Sequence, residues 1–309
     1  MKALSIPTII DNPSVGKNLS DHVLLPNIFN VRGSDSSDGL MRDPALFAGA
    51  LDQWNKTKTG VLANGVTNQL GFFRLPNNAT IFKTTPDPAT GPKASHWEMI
   101  LCVCFFRKKF PQCSSDSSHR TSGSTPVHPS LLLEVSSQSS LPSFHLPLVS
   151  DSRRFYKVSQ ILTYMLLGGF VKLATSNPFD KPIIDPKFVT TDFDKFALRE
   201  AVRAIKRFLS APAWSSYVIG PYGTTAGVTD AELDNHVQSL SSSVYHPVGT
   251  AAMTAVDAPW GVVNPDLKLK GAEGLRIVDA SVWPFLPNAH TQGPVYLLAE
   301  KAAEIILGA

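Results

Sequence analysis

The stretch Gly274-Leu-Arg-Ile-Val-Asp-Ala-Ser281 stands between two histidine loops, Ser243-Val-Tyr-His-Pro-Val-Gly-Thr-Ala-Ala-Met253 and Asn288-Ala-His-Thr-Gln-Gly-Pro-Val-Tyr296. An apolar burst ending in Asp-Ala-Ser predicts a buried strand whose carboxyl end opens at a site. His246 and His290 fall in loops beside proline and glycine turns, where binding and catalytic groups collect. Imidazole is the side chain whose unperturbed pKa permits proton exchange near neutral pH. Two such rings converging on one substrate can remove a hydroxyl proton and hold the alkoxide that results. One histidine alone ordinarily fills a core or surface place. The pairing, with no structural duty legible for either ring, points to chemistry.

Working outward, 309 residues allow roughly two domains with a sizeable core. Hydrophobic residues make up 43% and charged ones 17%, and the net charge is +3. No long basic block occurs, which argues against nucleic acid as a partner. No apolar run is long enough to cross a bilayer, and the first residues, broken by Pro7 and Asp11, do not read as a signal peptide. Cys102, Cys104, Cys113 and His119 match no common zinc spacing, so no metal is expected. The absence of a G-x-S-x-G elbow excludes a serine hydrolase built on His246.

Along the chain, residues 1–30 predict a short strand, a turn at Asn12-Pro13 and the run Val15–His22. Residues 44–58 have helical spacing at Leu46, Phe47, Leu51 and Trp54. Val66–Leu75 reads as a strand carrying Phe72 and Phe73, and His96–Ile100 as a core strand. Residues 101–160 are serine-rich with no lasting period, a low-complexity composition that does not fill a core. Beyond them, Gly168–Thr175 predicts a strand and Pro178–Pro182 a turn. Phe193, Phe196, Leu198, Val202, Ile205 and Leu209 give an amphipathic helix over 191–209, capped by Thr191 with Asp192. Further helices are expected over 230–240 and 295–307.

His246-Pro-Val-Gly-Thr-Ala-Ala-Met253, Gly261-Val-Val-Asn-Pro-Asp-Leu-Lys268, Gly274–Ser281 and His290-Thr-Gln-Gly-Pro294 with its following helix carry a resemblance. Val15-Gly-Lys-Asn-Leu-Ser-Asp-His22 and Lys172–Asp180 add to it. Together they resemble the C-terminal half of the glucose–methanol–choline (GMC) oxidoreductases, the flavin-dependent alcohol-oxidising family. Tyr245 and the Ser-Asn-Pro-Phe-Asp wording are most similar to fungal aryl-alcohol oxidases.

The resemblance implies an α/β (α+β) fold: an antiparallel substrate-domain sheet with helices, plus the C-terminal returning part of an FAD-binding domain. It implies residues 1–30 in the FAD-binding domain, 31–215 in the substrate-binding domain and 216–309 in the returning segment. It implies FAD as cofactor, a small alcohol (aromatic or allylic) as substrate, and oxygen or a quinone as acceptor. His246 would be the general base, and His290 would hydrogen-bond the hydroxyl and steady the alkoxide. Tyr245 would stack beside the alcohol and Phe72 would wall its pocket. Asp279, Ala280, Thr291, Gln292 and Gly293 would lie against FAD, and His22 would be structural. Yet no G-x-G-x-x-G phosphate cradle occurs anywhere in the sequence. The competing expectation is therefore a non-catalytic truncated chain that binds no flavin.

Overall fold

Residues Val23–Val31 alternate buried and half-buried side chains without a break, and this strand organises the molecule. A computed structural model describes residues 4–32, 40, 43–63, 67–102, 154–163 and 168–308. They belong to one unit, spanning 1–105 and 153–309. In chain order the strands are β1 (Lys17–Leu19), β2 (Val23–Val31), β3 (Thr67–Phe73), β4 (Trp97–Cys102), β5 (Arg154–Leu162), β6 (Gly169–Lys172), β7 (Ile183–Asp185), β8 (Val218–Pro221) and β9 (Ser242–Ser243). The helices are α1 (Pro44–Thr57), α2 (Asp192–Leu209), α3 (Asp230–Leu240) and α4 (Gln292–Leu307).

A six-stranded antiparallel sheet runs β3-β4-β5-β2-β8, and β9 pairs with the start of β2. A smaller antiparallel sheet has the order β1-β6-β7. The fold is thus the expected mixture of helices with antiparallel sheets. The period of two gives the large sheet two unlike faces. On one, Val23, Leu25, Phe29, Val31, Met99, Val158 and Leu162 pack under the apolar stripe of α2 (Phe193, Ala197, Leu198, Ala201, Val202, Ile205). On the other, Phe72 pairs with Glu98, Glu98 with Ile161, and Ile161 with Leu24, so these four side chains share a face. Ile100, Ile161, Leu24 and Val244 form the small cluster there.

Several sequence expectations change on folding. The cap of α2 is a box between Thr191 and Asp194, because the third helical residue, not the first, reaches back to the cap amide. Residues 274–281 are not a buried strand. Arg276 forms an isolated bridge with Lys268, the Ile277 amide donates to the Leu267 carbonyl and the Leu275 carbonyl accepts from the Leu269 amide, but Leu275 and Val278 stay exposed. A strand needs a ladder beside it, and no such ladder is found there among the described residues.

Residues 4–11 likewise form no strand. Pro7 has no amide to donate, and Ile9 is exposed. The low-complexity reading of 101–160 fails at both ends: β4 runs to Cys102, and β5 occupies 154–162 at the centre of the sheet. Lys157, Ser159 and Gln160 disguise its alternation. Residues 103–153, the rest of that segment, lie outside the described residues. The boundaries drawn at 30 and 215 fall inside β2 and just before β8, two strands joined by one ladder. Helix α4 starts at Gln292, three residues before the expected Val295.

Ile205 is fully buried between α2 and the sheet, whereas Val256 is exposed in a turn. Ile205→Ala is therefore expected to destabilise by about 2–5 kcal/mol in chemical denaturation. Val256→Ala should stay within roughly 0.5 kcal/mol.

Candidate functional site

The segment leading into β2 runs antiparallel to the His246 loop. Ser20 and Val248 exchange both backbone bonds at 3.0 and 2.8 Å, and the Val244 amide donates to the His22 carbonyl at 3.3 Å. The buried Asp21 carboxylate accepts from the His246 amide at 2.9 Å and from the Ser243 hydroxyl. Ser243 Oγ in turn accepts from the Tyr245 amide at 2.7 Å. These bonds hold Tyr245 in the left-handed region at φ 65°, a conformation few side chains adopt unaided. Gly249 completes the turn at φ 90°, where a Cβ would come within 2.3 Å of the Asn18 carbonyl oxygen.

The second loop is held by Asn288. Its side-chain oxygen accepts from the Ser95 hydroxyl at 2.6 Å and the Ser95 amide at 3.1 Å. Its amide group donates to the Ser95 carbonyl at 3.0 Å and to the Thr163 hydroxyl at 3.3 Å. This fixes the Pro287–His290 run against the end of the large sheet.

Three rings then stand in a row. His22 Nδ1 lies 2.9 Å from His246 Nδ1, and His22 Nε2 lies 3.0 Å from the Pro287 carbonyl oxygen. His246 and His290 meet edge to face with ring centres 5.0 Å apart. His290 Nε2 lies 3.2 Å from both carboxylate oxygens of Glu98, which rises from the sheet face shared with Phe72.

The two candidate histidines are electrostatically unequal. Burial, reinforced by the His290 charge, lowers His246 to about 4. Burial followed by the His246 charge lowers His22 to about 3. His290 is raised instead, chiefly by its hydrogen bond to Glu98, which outweighs partial burial. The site thus places an imidazole whose burial disfavours the proton beside one whose carboxylate partner favours it.

The other expected residues lie around this row. Tyr245 adjoins His246 with 75% of its surface exposed, and Phe72 is 50% exposed. Asp279 caps a short turn through the Ser281 amide at 2.8 Å, while the Ala280 and Ser281 carbonyls accept from Gly249 and Ala251 of the His246 loop. Thr291, Gln292 and Gly293 begin α4 directly after His290. The first amides of a helix have no intrahelical acceptor, and Thr291 makes no side-chain cap. A Cβ on Gly293 would meet nothing within 4 Å. Open amide donors at a helix start, with free space before a glycine, fit one side of an electron-rich ring such as a flavin.

Sequence reasoning gave no part to Asp21, Glu98 or Asn288 and expected His22 to be structural. One signal existed: Glu98 is the lone acid in the apolar run Trp97–Cys102 and is buried.

The pattern of the GMC oxidoreductases matches residues 168–299. The chain is 34% identical over 309 residues to a pyranose dehydrogenase of Agaricus xanthodermus, covering 99% of this chain and 45% of that protein. It thus spans about half the length of the curated relatives it matches. Among solved structures it is similar to a formate oxidase of Aspergillus oryzae studied for its FAD modification (25% identity, TM-score 0.77, 99% of this chain and 49% of that one). A fungal aryl-alcohol oxidase shares the fold at 24% identity and TM-score 0.67, over 99% of this chain and 50% of that one.

Histidine titration by NMR checks the inequality. His290 is expected to protonate above the ordinary imidazole value and His246 only near pH 4, with Glu98→Gln bringing His290 down. Titration of His246 above His290, or no response to Glu98→Gln, would contradict it.

Proposed function

This chain belongs to the GMC oxidoreductase family, and we propose that its histidine pair serves the FAD-dependent oxidation of a CH–OH group. The observation that carries the reading is the inequality of the pair: a neutral His246 beside a His290 whose proton is held by Glu98. Bound FAD supplies the acceptor for the hydride that leaves the carbinol carbon. His246 takes the hydroxyl proton as general base. His290, with one nitrogen on Glu98, directs the other toward the substrate oxygen and steadies its developing negative charge. Asp21 and Asn288 hold the two loops so that these rings stay in register.

The proposed substrate is a small primary alcohol with an aromatic or allylic group. Tyr245 and Phe72 support it: both present exposed aromatic surface, Tyr245 next to His246 in the chain and Phe72 opposite Glu98 on the sheet. A sugar hydroxyl is the second reading, favoured by the similarity to a pyranose dehydrogenase. Asp279, Ala280, Thr291, Gln292 and Gly293 would take the flavin side, the six-stranded sheet the substrate side, and oxygen or a quinone would accept the electrons.

The test is turnover by the purified chain supplied with FAD, comparing benzyl alcohol with a pyranose. The reading expects alcohol-dependent oxidation and a higher kcat/KM for benzyl alcohol. His246→Ala should lower it on the order of 10²–10⁴-fold, and His290→Ala by roughly 10²–10³-fold. A folded, FAD-supplied chain that oxidises neither alcohol would overturn the reading in favour of a non-catalytic chain. Preference for the pyranose would select the second substrate.

A further inference from the structure

Resting on the reading of His246 as the base, we propose that His22 is a positioning residue which fixes the tautomer of His246 and so leaves Nε2 bare for the substrate. The argument follows from counting donors and acceptors. The Pro287 carbonyl oxygen, 3.0 Å from His22 Nε2, can only accept, so Nε2 of His22 carries a proton. His22 is 2% exposed and sits against a second imidazole, so it is held neutral with that one N–H. Its Nδ1 is therefore an acceptor. His246 Nδ1, 2.9 Å away, must donate to it. A neutral His246 has a single proton, and with that proton on Nδ1 the lone pair stands on Nε2.

Three features make the arrangement directional. The acceptor for His22 is a backbone carbonyl, which cannot supply a proton in return. Its loop is fixed by Asn288 on Ser95 and Thr163, so the carbonyl cannot turn away cheaply. The His246 amide is fixed on Asp21, the residue next to His22, so ring and backbone of the base are both held by one short segment. A protonated His22 would donate from Nδ1 and force the opposite tautomer on His246. Burial lowers His22 to about 3, which keeps that state out of reach near neutral pH.

The relevant variants differ in what they offer His246. His22→Leu keeps bulk but removes the acceptor. His22→Gln keeps both duties, because the side-chain amide N–H can donate to Pro287 and its oxygen can accept from His246. Long-range ¹H–¹⁵N spectra of histidine-labelled protein report the tautomer without any cofactor or turnover. The expected result is Nδ1–H on His246 in the parent chain and in His22→Gln, and loss of that preference in His22→Leu. Where turnover is measurable, kcat should fall on the order of 10²–10⁴-fold in His22→Leu, with KM little changed, and recover in His22→Gln. An Nε2–H tautomer in the parent chain, or the same His246 spectrum in His22→Leu, would overturn the proposal. The parent and His22→Gln spectra decide the question even if His22→Leu fails to fold. A chain with the predicted tautomer but no alcohol oxidation would overturn the proposed function and leave this assignment standing.

Discussion

The antiparallel contact between residues 20–24 and 242–248 is the constraint on which the site depends. It joins positions 224 residues apart, placing His22 Nδ1 against His246 Nδ1. Without it neither the Asp21–His246 backbone bond nor the ring contact exists. The contact continues from the most regular strand in the molecule: β2 pairs with β5 over its whole length and with β9 at its start. Core packing therefore reaches the chemistry directly. The apolar face of β2 is clamped under α2, and the two residues just before it, Asp21 and His22, carry the site.

The opposite face of the same sheet supplies the second half. Glu98 is buried in a strand otherwise apolar, and a buried carboxylate there requires a partner. His290 is that partner, and the bond raises its basicity while burial lowers that of His246. Two identical side chains so acquire different proton affinities from their surroundings alone. Asn288 keeps the difference in place by tying the His290 loop to Ser95 at the start of β4. The remaining buried histidines illustrate the contrast. His96 spends its ring nitrogens on the Leu75 amide and the Asp87 carboxylate, and His236 on Thr224 and Asn27, so neither has one left for a substrate.

Local pattern made much of this legible. Helix α2 follows from apolar spacing and Thr191, and the histidine pair from its turns. What sequence could not carry was long-range pairing. The partners of His290 and His246 lie 192 and 224 residues away, and nothing in the local period marks them. Strand β5 was hidden because Lys157, Ser159 and Gln160 interrupt its apolar positions, although the sheet covers both its sides. The apolar run at 274–281 misled for the converse reason: hydrophobicity marks a strand only where a ladder receives it.

The central claim is that a substrate hydroxyl sits between His246 and His290, with His246 still bound to His22. A crystal structure of the chain with benzyl alcohol tests this most directly. The account predicts the hydroxyl oxygen within hydrogen-bond distance of His246 Nε2 and of His290, with the His22–His246 contact intact. An alcohol bound away from both rings, or a His246 ring turned from His22 to present Nδ1, would contradict it.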